Sequence, residues 1–158
     1  MARLADLPDW EREHLLHLCK DAPRFEDTPL MAGLPLSQRR VALISTAGLH
    51  RRGDRPFDGG AGATEYRVIP ADTPGADLVM SHISVNFDRS GFRADPNVVL
   101  PLDRLNELAA DGAIGSVADY HYSFMGAPWP STKFEPKARE LAGLLHRDRV
   151  DAVVLLPV

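Results

Sequence analysis

Five short apolar runs limit what this chain can fold into. They are Arg40-Val41-Ala42-Leu43-Ile44-Ser45, Tyr66-Arg67-Val68-Ile69, Asp77-Leu78-Val79-Met80-Ser81-His82-Ile83, Ala113-Ile114-Gly115-Ser116-Val117-Ala118 and Val150-Asp151-Ala152-Val153-Val154-Leu155-Leu156. Each is too short for an independent helix, and the first and last are almost continuously apolar, the pattern of strands covered on both faces. Two amphipathic helices separate the last three runs. One starts near Pro101, carries Leu102, Leu105, Leu108 and Ala109 on one stripe, and stops at Gly112. The other runs from about Pro136 to His146 with Ala138, Leu141, Leu144 and Leu145 on its apolar face. Strand, helix, strand, helix, strand is the βαβαβ order, so the expected class is α/β, doubly wound on a mainly parallel sheet of the flavodoxin-like or Rossmann-like kind.

Upstream of the sheet, Asp9-Trp10-Glu11-Arg12-Glu13-His14-Leu15-Leu16-His17-Leu18-Cys19 reads as a helix, with Trp10, Leu15, Leu18 and Cys19 turned toward the rest of the protein. An arm punctuated by Pro23, Pro29 and Pro35 follows, so residues 1–37 form a helix and arm, and residues 38–158 form the α/β domain. The net charge is -4 and the 18 Lys and Arg residues are scattered, which leaves no field for a nucleic-acid backbone or an anionic membrane surface. No apolar run is long enough to span a bilayer, and the first residues do not form a secretory leader; the expected compartment is the cytoplasm. One cysteine, Cys19, rules out an intramolecular disulfide and a multi-thiolate zinc site.

In a doubly wound sheet, ligands bind beyond the carboxyl ends of the strands. Three polar stretches follow strands here: residues 46–62, residues 81–91 with Asp88, and Asp119-Tyr120-His121-Tyr122-Ser123-Phe124-Met125-Gly126. They bring His50, His82 and His121 to one edge by topology, where imidazole can act as an acid, hold a carboxylate or bind metal. The alternative for each is a brace within its own loop. No pair has the spacing of a known metal site, so no metal is expected. Arg51 and its neighbours offer guanidinium forks for a carboxylate. Gly59-Gly60-Ala61-Gly62 lacks the strand-to-helix context and the Lys-Ser/Thr of a phosphate loop and reads as a turn. The sequence stops at the carboxyl end of its most apolar strand, the same edge where these loops converge. That pattern reads as a domain truncated after its last strand, at its active site.

Several of these segments also form a recognisable set: Val41 to His50, Asp77 to Asp88, Pro101-Leu102-Asp103-Arg104-Leu105, and Gly115 to Gly126. Together they resemble the selenoprotein B family of glycine, sarcosine, betaine and D-proline reductases, over roughly residues 38 to 158, and most of all the selenocysteine-bearing subunit of the D-proline enzymes. The resemblance implies reductive cleavage of a carbon–nitrogen bond in a small amino acid or N-methylated glycine, with electrons from a dithiol. It implies a selenocysteine just after Val158, which an unrecoded UGA codon would remove, and a pyruvoyl group on a partner subunit, with no cofactor held in this stretch of chain. A homo-oligomer is also compatible with it. Placed on this reaction by position, His82 and His121 are expected to protonate the departing amine, while His50, Arg51, Asp88 and Tyr122 bind substrate. Two alternatives stand beside it: a flavodoxin-like module holding a flavin or nucleotide phosphate at Ser45 and Thr46, and a scaffold subunit without chemistry of its own.

Overall fold

A computed structural model describes residues 3–20, 22–23, 32–84, 89–128 and 130–158. The strands are β1 (Arg40–Ser45), β2 (Leu49–Arg51), β3 (Tyr66–Pro70), β4 (Leu78–Met80), β5 (Ser116–Val117), β6 (Tyr120–Phe124) and β7 (Ala152–Leu156). The helices are α1 (Asp9–Lys20), α2 (Ser90–Ala94), α3 (Leu102–Ala110) and α4 (Glu135–Arg147).

β1 is the centre. Along one edge it pairs in parallel with β7 from Val41↔Ala152 to Ser45↔Leu156. Along the other it pairs in parallel first with β5, through Arg40↔Ser116, and then with β6, through Ser45↔Ser123. β3 adds to the far side of β6 in the antiparallel sense. The class is thus mixed α/β with a mostly parallel sheet, as expected, but the doubly wound order is not what forms. β4 leaves the sheet and pairs with β2 in a separate antiparallel ribbon, a strand the sequence reading took as loop. No solved structure matches the fold.

Side-chain alternation explains the layers. Val41 and Leu43 point to one face, where they pack with Leu49, Ile69, Leu78, Leu100, Leu102 and Leu105 from the ribbon, β3, the segment before α3, and α3 itself. Ile44, Tyr122 and Phe124 point to the other, against Leu141, Leu144 and Leu145 of α4. Leu43, Leu49, Ile69 and Leu100 are fully buried, each stabilising the fold by about 1.5–3 kcal/mol. Both expected helices form and bury most of their expected stripes, except that Leu108, at the margin of the α3 stripe, is 44% exposed and Ala138 on α4 is exposed.

Two boundaries differ from the sequence reading for physical reasons. The run at 113–118 forms a strand only at 116–117, because the Ala113 and Ile114 amides are taken by the Leu108 carbonyl at the end of α3; Gly115 then lies so close to the backbone of Gln38 that a Cβ there would be 2.5 Å from the Gln38 carbonyl carbon. The polar stretch at 120–124 is a buried strand, not a loop. Its hydroxyl and imidazole groups take up backbone N–H groups that would otherwise lack partners, which is what lets polar residues sit between two apolar layers.

At the amino end of β1, Arg40 joins three segments. Its guanidinium meets Asp148 at 2.6 Å and Asp119 at 2.8 Å and donates to the Val117 carbonyl at 2.7 Å. Asp148 also accepts from the Asp119 amide at 3.0 Å. α4 ends there in a Schellman motif, with Val150 N–H on the Leu145 carbonyl and Arg149 N–H on the His146 carbonyl, both 3.0 Å. Its left-handed residue is Arg149, at φ 54°, where glycine is the unstrained choice.

α1 forms where expected but does not bury the expected side. Trp10 is 71% and Leu15 38% exposed, and Cys19 is exposed. The Leu18 side chain and residues 24–31, including Pro29, lie outside the described residues.

Two outcomes follow. Replacing Arg149 with Gly relieves the left-handed strain and raises unfolding stability by about 1 kcal/mol in urea titration. Cys19 reacts with a thiol reagent in the folded protein, and Cys19→Ser shifts stability by less than about 0.5 kcal/mol, the scale of an exposed position.

Candidate active site

The turn between β1 and β2 organises the carboxyl end of the sheet. Gly48 adopts φ +66°, and a Cβ there would lie 3.0 Å from the backbone nitrogen of His82, so only glycine lets the segment after β4 press against the turn. The Ser81 amide continues that contact by donating to the Gly48 carbonyl at 2.9 Å. From another direction comes Gly126, where a Cβ would lie 2.8 Å from the Cβ of Thr46. From a third comes Val158, whose N–H donates to Thr46 Oγ1 at 2.8 Å while the same hydroxyl donates to the Val158 carbonyl at 3.3 Å. Segments that follow β1, β4, β6 and β7 therefore meet at residues 46–48.

The amides of that turn are already used. Thr46 N–H goes to the Leu156 carbonyl, Ala47 N–H to Ser45 Oγ, Gly48 N–H to the Phe124 carbonyl and Leu49 N–H to Ser123 Oγ. A phosphate-binding turn needs its N–H groups aimed at the ligand. Consumption of all four, together with the complete burial of Ser45, removes the support that Ser45 and Thr46 lent to a flavin or nucleotide module.

The three histidines are sorted by their tautomers. His121 is fully buried in β6, and its Nδ1 accepts the Leu43 amide at 3.0 Å. Opposite Ala42 and Leu43 the neighbouring chain carries two more residues than the parallel register needs, so this imidazole replaces the missing carbonyl of the ladder. Its proton therefore sits on Nε2, which has no hydrogen-bond partner among the described residues. Burial pushes its pKa down to about 4, with Arg40 adding to the shift and Asp148 opposing it. His82 is buried as well, and its Nδ1 accepts the Ser84 amide at 3.1 Å. Burial and then the Arg89 guanidinium lower its pKa, so it too is neutral near pH 7 with its proton on Nε2.

His50 has the opposite arrangement. Its Nδ1 lies 2.9 Å from the Arg51 carbonyl, which can only accept, so Nδ1 carries the hydrogen. Its Nε2 lies 2.8 Å from Ser81 Oγ. The β2–β4 ribbon makes this pair by aligning His50 with Val79, two residues before Ser81.

The remaining expected residues disperse. Arg51 is exposed and pairs with Asp54 at 3.1 Å. Tyr122 is buried on the α4 face, edge-on to Tyr66 with ring centroids 5.7 Å apart, and so points away from the face that holds His121. Asp88 lies outside the described residues. Sequence reasoning missed Ser81 and Gly126 as contributors and considered Thr46 only as a phosphate or flavin ligand. Ser81 was visible only as the neighbour of His82, because its partner sits on a strand that had not been foreseen. Among the described residues, no cluster of three His, Cys, Asp or Glu side chains could hold a metal ion, and no helix is long and apolar enough to cross a membrane.

Comparison with known proteins places this geometry. The family model described as glycine/sarcosine/betaine reductase selenoprotein B matches residues 22–157. The chain belongs to that family. It is 36% identical over 121 residues to the D-proline reductase subunit gamma of Acetoanaerobium sticklandii, covering 76% of this chain and 49% of that relative. It is 30% identical over 124 residues to the betaine reductase complex component B subunit beta of Peptoclostridium acidaminophilum, covering 76% of this chain and 28% of the relative. A glycine reductase complex component B subunit gamma from Symbiobacterium thermophilum is 29% identical over 122 residues. The chain thus spans about half the length of the first of these and less of the others. α1 lies outside the matched range, whereas the sheet and the turn at 46–48 lie within it.

The buried neutral His121 predicts acid sensitivity. Its pKa is near 6.5 unfolded and about 4 folded, so stability is complete above pH 6.5 and falls as pH drops toward 4, by on the order of 3 kcal/mol in total. Urea unfolding at pH 7.5 and 4.5 measures the loss. His121→Asn keeps an acceptor for Leu43 but cannot titrate, so it starts less stable at pH 7.5 and loses less on acidification.

Proposed function

We propose that this chain is the nucleophile-bearing subunit of a reductase that cleaves the carbon–nitrogen bond next to a carboxylate in a D-proline-, glycine-, sarcosine- or betaine-like substrate, with a dithiol as electron source. The observation that supports it most is the 36% identity to a D-proline reductase subunit across the sheet whose strand ends meet at Thr46. The reading includes a selenocysteine immediately after Val158 and a pyruvoyl group on a partner subunit.

The residues present suit the first of these. Thr46 Oγ1 accepts the Val158 amide, which holds the end of the segment after β7 at the meeting point of the strand ends. Gly48 and Gly126 let the His82 backbone and Thr46 pack closely around that point. A selenolate at such a position supplies a nucleophile already ionised at neutral pH.

This chain's own groups then divide the remaining work. Thr46 fixes the backbone that carries the nucleophile. His82, neutral with its hydrogen on Nε2, acts as a hydrogen-bond donor, because a neutral imidazole is far too weak an acid to protonate an amine. His121 and Tyr122 support the sheet from within. In this reading the partner subunit activates the amine, and the strand ends hold the carboxylate side.

The test is direct. The chain extended by its natural downstream segment, assembled with its partner subunits and dithiothreitol, is assayed with D-proline, glycine, sarcosine and betaine. Substrate-dependent dithiol oxidation matched by amine release or ring opening with one of the four is the expected result. Turnover of none of them overturns the proposal and leaves a scaffold role.

A further inference from the structure

We infer that Ser81 and His50 form the proton relay that delivers a proton to the departing amine nitrogen, with Ser81 as the group that touches the substrate and His50 as its reservoir. The inference rests on the proposed function and names a part of the machinery that reading leaves open.

Geometry carries it. The Arg51 carbonyl fixes Nδ1–H of His50 in both charge states of the ring, so protons are gained and lost at Nε2 alone, and Nε2 faces the Ser81 hydroxyl at 2.8 Å. A hydroxyl both donates and accepts, so it can receive from Nε2 on one side while giving its own hydrogen on the other. The imidazole is buried and the serine half-buried, the order that a path from the interior to a site requires. Ser81 also lies against the turn where the strand ends meet, through its amide bond to the Gly48 carbonyl.

A brace between strands does not account for the pair. β2 and β4 are already held by three backbone-paired positions, from Leu49↔Met80 to Arg51↔Leu78, and the Ser81 amide extends that pairing by one more bond. His82 and His121 each spend Nδ1 on a backbone amide, whereas His50 gives its Nδ1 hydrogen to a carbonyl and directs Nε2 at the Ser81 hydroxyl.

The step balances. As the nucleophile's electron pair forms its bond to carbon, the carbon–nitrogen bond breaks and its pair stays on nitrogen. The O–H bond of Ser81 breaks and its proton forms a new N–H bond on the amine. In the imidazolium form of His50 the Nε2–H bond breaks in turn and its proton restores the Ser81 hydroxyl, and the neutral ring is reprotonated through that same hydroxyl after the product leaves. Reducing equivalents come from the dithiol of the proposed reaction; the relay moves protons only.

The assembled reductase described above is compared with its Ser81→Ala, Ser81→Thr and His50→Gln forms, each first checked for parental thermal stability. Ser81→Ala and His50→Gln are expected to lower kcat on the order of 100-fold. KM should stay within about twofold, because the lost interaction is made in the transition state. Ser81→Thr, which keeps the hydroxyl, should recover most of the rate. An active parent whose Ser81→Ala form keeps kcat within about twofold overturns the relay and leaves the reductase reading intact. The relay is also overturned if Ser81→Thr is as slow as Ser81→Ala while equally well folded, since the defect then comes from shape. A parent inactive on all four substrates overturns both, because the relay would have no amine to serve.

Discussion

β1 has no free edge and no free face, and the rest of the molecule depends on that. Along one side β7 matches it residue for residue, while along the other the chain from Ser116 to Phe124 carries two residues too many for a continuous parallel ladder. A buried amide without an acceptor costs about 1–3 kcal/mol, so the mismatch would weaken the centre of the sheet. His121 removes the difficulty by placing Nδ1 where a carbonyl is missing. The same logic recurs at the end of the strand, where Ser123 Oγ takes the Leu49 amide and Ser45 Oγ takes that of Ala47. His121, Ser123 and Ser45 are substitutes for backbone acceptors.

Because these polar side chains are committed to the backbone, the proposed function assigns its chemistry to other groups. The turn at residues 46–48 has spent its amides, which excludes it as a phosphate cradle, yet it gathers the segments after four strands around two glycines and a threonine. Thr46 reaches the backbone of Val158, and Gly48 admits the segment that begins with Ser81 and His82. A site of this kind is defined by backbone approach, and its side chains enter from the neighbouring ribbon.

The histidines show why residue type alone did not assign roles. His50, His82 and His121 are equivalent as letters in a sequence, and all three are buried. What separates them is the partner of Nδ1: an amide for His82 and His121, a carbonyl for His50. The partner sets the tautomer, and the tautomer sets whether the remaining nitrogen serves as a neutral donor or as an exchangeable proton site.

The sequence by itself determined the local elements and the family. The stripes of Leu102, Leu105 and Leu141 specified α3 and α4, Gly112 stopped a helix, and the near-continuous apolar run of β1 marked the sheet centre, whereas the equally apolar β7 lies at an edge with Val153, Val154 and Leu155 exposed, because periodicity is a property of neighbouring residues and burial is not. The long segments around His50, His82 and His121 carried the family resemblance. Tertiary structure alone decided that Tyr120 to Phe124 is a buried strand, that β4 leaves the sheet to join β2, that Trp10 and Cys19 stay exposed, and that Arg40 links Asp119 to Asp148. Each of these depends on a partner distant in sequence. A histidine that completes a ladder 78 positions away, or a serine paired with an imidazole 31 positions away, leaves no periodic trace, since the bond exists only once the strands are side by side.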